Sequence, residues 1–127
     1  MEYGYNEHSK VFFDLVMEGL KGEVNGSSFW EAVDDKAIFH FNFFFADFPK
    51  SMNKKDYLSW FEDYSVPLTS GELLGVYKDK SKEREVIITL EYKVLVNNGT
   101  QTESFCSIIF IENKKIVEWH DYMNIRE

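Results

Sequence analysis

Residues 115–124 read as a final strand in which Val117, Trp119 and Met123 alternate with Glu118 and His120. At position 121 that alternation asks for an apolar side chain and finds an aspartate. A carboxylate on an apolar face is costly unless it is paired, protonated or open to a pocket. Apolar surroundings raise its pKa and make it a better general base near neutral pH. Two more polar residues, His40 and Asn42, interrupt the phenylalanine-rich stretch 37–45, on the face that also carries Ile38 and Phe44. His40 has the chemistry to donate a hydrogen bond to a substrate oxygen or to share a proton, and Asn42 to hold a water or a carbonyl. With Asp121 they suit proton abstraction beside a carbonyl, or water activation. Asp121, His40 and Asn42 are therefore the candidate catalytic residues. Glu91 and Lys93, two apart on another strand and so on one face, join Trp119 and Phe44 as candidate binding residues.

These residues need a frame. Asn6 is placed to cap a helix with Val11, Phe12, Leu15, Val16 and Leu20 at three- and four-residue steps. Ser28 followed by Glu31 has the form of a capping box, predicting a short helix from Phe29 to about Asp35. A strand over 37–45 and a loop over 47–51 follow. Asn53, with Asp56 three residues on, starts a third helix that Pro67 stops. The rest reads as strands over 71–80, 85–97, 101–112 and 115–124, with turns at Asn97-Asn98-Gly99-Thr100 and Asn113-Lys114. Gly71 and Gly75 fit either a bend in a long strand or surface turns. Helices followed by a run of strands indicate one α+β domain over 1–127: a curved mixed or antiparallel sheet around about three helices from the N-terminal half, enclosing a cone-shaped pocket. On the strand 85–97 the even-numbered side chains from Val86 to Val96 form one continuous apolar face. That face, with Ile116 and Tyr122, is read as the outside of the sheet, and the face of Glu91 and Lys93 either lines the pocket or is simply exposed to solvent. Such an outer surface suits a homodimer.

The order of elements resembles SnoaL-like proteins of the nuclear transport factor two-like (cystatin-like α+β cone) superfamily. So do the helix entry Ser51-Met52-Asn53-Lys54-Lys55-Asp56-Tyr57-Leu58 and the ending Lys115-Ile116-Val117-Glu118-Trp119-His120-Asp121-Tyr122. The likeness spans nearly the whole chain, and its most specific part is the ending, where His120 stands in place of the relatives' usual arginine. It implies a cone with an acid–base carboxylate inside, and Asp121 matches the aspartate that serves as base in limonene epoxide hydrolases and, by similar placement, in cyclases. His40-Phe41-Asn42 is similar to the hydrolases' Tyr-x-Asn, with His40 replacing the tyrosine. Where those enzymes place Arg-x-Asp, this chain has Glu91-Tyr92-Lys93, without the guanidinium fork that bridges two carboxylates. The resemblance leaves two readings open: an isomerase-, cyclase-, dehydratase- or hydrolase-type enzyme, or a non-catalytic ligand-binding or dimerisation module. Relatives often dimerise through the outer sheet.

Composition narrows the partners. Fourteen basic and twenty-two acidic residues give a net charge of −8, which repels phosphate backbones and argues against nucleic acid. Aromatic residues make up 17% of the chain, enough to line a cavity or fill a thick core, and they point to a small apolar or aromatic ligand. Cys106 is the sole cysteine and is read as a small core residue. No two of the three histidines share ligand spacing, so neither a metal nor another cofactor is expected. The charged start and strand-length apolar runs lead to the expectation of a cytoplasmic protein without a membrane span.

Overall fold

The computed structural model describes residues 10–42, 50–62, 68–79, 86–96 and 101–126. Its elements are α1 (Lys10–Gly19), α2 (Phe29–Ala32), β1 (Val33–Asn42), β2 (Ser51–Asn53), α3 (Lys54–Glu62), β3 (Leu68–Asp79), β4 (Val86–Val96), β5 (Gln101–Glu112) and β6 (Lys115–Arg126). Six strands form one curved, unclosed sheet in the order β2-β1-β6-β5-β4-β3. The last four strands are an antiparallel meander, whereas β1 runs parallel to β6, which makes the sheet mixed. This is the α+β architecture read from the sequence. The expected caps of α1 at Asn6 and the turn at 97–100 lie outside the described residues.

The helices cover one face because only that face is continuously apolar. Phe12, Phe13, Leu15 and Val16 of α1 are buried, and α1 packs on β3 and β4. At Gly71 on β3, an added Cβ would stand 2.4 Å from Leu15 Cδ1, so the absence of a side chain there lets α1 approach the sheet. Gly71 and Gly75 both lie within β3, next to register shifts, rather than in surface turns. The α3 helix packs on β1 and β2, and its first turn is capped as expected: Asp56 N donates to Asn53 Oδ1 at 2.8 Å.

Six local expectations are corrected. The α2 helix is a single turn and β1 begins at Val33, four residues early, because Val33 already pairs with Ile116. Glu31 N donates to Ser28 Oγ, but the Glu31 carboxylate accepts from Ser27 Oγ, so only half of the capping box forms. A short β2 replaces part of the expected loop and buries Met52. On β4 the assigned faces are reversed. Ile88, Leu90, Tyr92 and Val94 are buried under the helices, while Glu91 is exposed and Lys93 is half-buried beside Glu72 on β3. An unbroken apolar face buries more area against α1 than a face carrying two charges. On β6 a register shift between Phe110 and Ile111 leaves Val117 without a partner, which turns Ile116 inward instead of outward. Cys106, paired with Glu91 and Tyr122, is half-exposed on the outer face rather than in the core. Asn113 and Lys114 have φ of 53° and 62°, the paired positive angles of a primed hairpin turn.

Candidate functional site

Asp121 lies on the inner, helix-covered face, between Phe41 of β1 and Ser107 of β5. It is 3% exposed and sits beside the fully buried Ser107. Ser107 Oγ donates to Asp121 Oδ1 at 2.5 Å, and Trp119 Nε1 donates to the same oxygen at 2.5 Å. Tyr92 OH lies 2.8 Å from Ser107 Oγ. Because the single serine proton is committed to the carboxylate, the tyrosine is the donor in that pair. The result is a relay, Tyr92 to Ser107 to Asp121, with Trp119 as a second donor. Both of these donors reach Oδ1.

Aromatic rings wall in the relay. Tyr92 stacks on Phe105 at 5.3 Å and 10° between planes, and Phe12 lies 6.0 Å from Tyr92. Trp119 meets Phe29 edge-on at 5.6 Å and Phe39 at 6.0 Å. In this setting burial pushes the Asp121 carboxyl up from 3.8 to about 6. The hydrogen bonds from Ser107 and Trp119, and the nearby His120, hold it back from rising further. Burial, reinforced by the Asp121 charge, also pushes the Tyr92 phenol well above its ordinary range, so it remains a proton donor. The arrangement is a carboxylate able to take a proton near neutral pH, held by a chain of two hydroxyls whose protons both point along the relay.

The other expected partners do not join it. His40 and Asn42 alternate with buried Phe39 and Phe41 and so face the opposite side of the sheet, where His40 stacks on His120. The expectation of Asp121, His40 and Asn42 on one pocket is therefore not met. Both faces of this stretch are apolar enough to enter a core, and the core takes the all-phenylalanine one. Glu91, also outside, accepts a hydrogen bond from Tyr77 OH at 3.3 Å. Of the binding candidates, Trp119 is in the site, and Phe44 lies outside the described residues. Ser107 and Tyr92 were missed. The available signal for Ser107 was a serine in the same alternating set as Ile109 and Ile111; Tyr92 fits its apolar face without any irregularity. A separate recess of ≈ 270 Å³, lined by Asp35, Lys54, Lys55 and Leu58, belongs to the α3 side of the molecule.

No protein-family model matches the chain, and no curated protein does. Solved structures do. One is a Bacillus subtilis protein provisionally named an isomerase, 24% identical with a TM-score of 0.62 over 94% of this chain and 89% of that one. Another is nuclear transport factor 2 of Cryptosporidium parvum, 11% identical, TM-score 0.62, covering 95% and 98% of the two chains. The fold is that of the nuclear transport factor 2-like proteins. An NTF2-like protein of unknown function from Burkholderia xenovorans LB400 has the same architecture, at 14% identity, TM-score 0.61 and coverage of 90% and 86%. No helix among the described residues is long and apolar enough to cross a membrane.

Proposed function

We propose that this chain is an NTF2-like pocket protein that moves a proton on a small apolar or aromatic molecule, in the manner of an isomerase, with Asp121 as general base. The observation that carries the reading is the inner-face relay of Tyr92, Ser107 and Asp121 inside an aromatic wall. A carbon acid beside a carbonyl gives its proton to Asp121, leaving the enolate against the aromatic wall. The name of the Bacillus subtilis relative supports the same class. Within the superfamily, the ending around Asp121 favours a SnoaL-like relationship. Epoxide hydrolysis of the limonene type is disfavoured because Glu91 and Lys93 stand on the outer face, where neither bridges Asp121. The proposal includes a homodimer through the outer sheet face, supported by exposed Ile38 and Tyr122 there.

The test is deuterium uptake from D2O into the α-positions of a panel of small cyclic ketones, followed by mass spectrometry. Wild type should catalyse exchange, and Asp121→Asn should lose about 100-fold or more of it while keeping its circular dichroism. Exchange that is absent in wild type, or equal in the variant, overturns the enzyme reading. A specific observation favours the second reading, a non-catalytic ligand-binding module: His40 and Asn42, the residues expected to complete the site, lie on the other side of the sheet. Ketones that raise the melting temperature of both proteins without exchange would establish that second reading.

A further inference from the structure

We propose that the outer face of the sheet carries a binding site for a divalent transition metal such as Zn2+, formed by His40, Glu118 and His120. The site is independent of the relay, which lies on the opposite face. Parallel pairing creates it: β1 and β6 align His40 with His120 and Ile38 with Glu118, bringing together residues far apart in the chain. Glu118 and His120 are two apart on β6 and so share a face. One ligand atom from each of the three side chains lies within 4.8 Å of the others, and all three residues are half-buried. The His120 Nε2 is 2.6 Å from Glu118 Oε2, and the two imidazoles stack at 4.5 Å with 12° between planes.

Two imidazoles and one carboxylate are a borderline nitrogen–oxygen set, which suits Zn2+, Co2+ or Ni2+ better than the all-oxygen preferences of Ca2+ or Mg2+. Bonds of about 2.0–2.2 Å require His40 to close in, the His120–Glu118 pair to open slightly, and one stacked ring to turn its nitrogen toward the ion. Half-buried side chains at a sheet surface have room for that rotation. Glu118 already occupies the direction of the His120 nitrogen, so the ion takes the place of the proton between them. Three protein ligands leave a fourth position for water. The edge of Phe110 against His120, at 5.7 Å, helps to hold that ring.

Calorimetric titration of the chelator-treated, tag-free full chain with ZnCl2 tests the proposal. One ion per chain is expected, with affinity reduced at least about tenfold in His40→Ala and in His120→Ala and unchanged in His8→Ala. Imidazole nitrogen NMR on the wild-type chain serves where a variant does not fold: Zn2+ should shift the ring signals of His40 and His120 together. Absence of binding, wild-type affinity in the folded His40→Ala and His120→Ala variants, or ring shifts at His8 alone would overturn it.

Discussion

Two donors converge on one oxygen of Asp121, and that concentration of hydrogen bonds explains how a carboxylate persists at 3% exposure. They do not offset burial fully, since the carboxyl is still pushed up to about 6. The folded chain therefore holds a proton in a range where the unfolded chain, at about 3.9, has released it. Protons bound only in the native state make stability fall as pH rises. Relative to Asp121→Asn, wild type should lose ~3 kcal/mol between about pH 4 and pH 6 and little beyond. Paired urea titrations across that window check this; a constant difference would contradict it. Ser107→Ala removes the bridge between Tyr92 and Asp121, and should cost about 1–3 kcal/mol by stranding a buried phenol. It should also raise the Asp121 pKa further, because the lost hydrogen bond was one of those lowering it. Asp121 was legible in the sequence because it broke an alternation. Ser107 and Tyr92 were not, because a small hydroxyl and an aromatic ring sit on apolar faces without disturbing the pattern. His40 and Asn42 were misplaced because their strand offers two faces rich in large apolar side chains.

At the scale of elements, end signals and turns were read more securely than faces. The Asn53 cap, the Asn113-Lys114 turn and the bounds of β5 were all legible, since each depends on local chemistry. Asn53→Ala should destabilise the chain by about 1 kcal/mol, seen as a lower melting temperature, by leaving first-turn amides of α3 without their acceptor. Face assignment depends on what packs above a strand, which local pattern does not contain. The Val117 bulge shows this: one unpaired residue reverses the side on which Ile116 lies. The reversed β4 has the same origin, because its apolar face suits a helix layer or a dimer partner equally well. Gly71 marks where α1 meets β3, so Gly71→Val should cost about 1–3 kcal/mol by displacing Leu15. A urea midpoint unchanged from wild type would contradict that close approach.

For the whole molecule, the sheet separates two chemistries. The inner face holds a protonatable carboxylate among aromatic rings, and the outer face holds a histidine–glutamate cluster with exposed Ile38 and Tyr122. The architecture was legible because the order of helices and strands constrains it strongly, whereas the outer cluster depends on a parallel pairing between the first and last strands. Sedimentation in the presence of EDTA, which removes any contribution from metal, should find a dimer at micromolar concentration, and Tyr122→Lys should shift it toward monomer. A wild-type monomer would contradict the proposed association. Carbon-13 NMR titration of the Asp121 side-chain carboxyl carbon tests most directly whether this buried carboxyl is poised to exchange a proton near neutral pH. A midpoint near 6 is expected. A midpoint near 4, the value of an ordinary exposed aspartate, would contradict it.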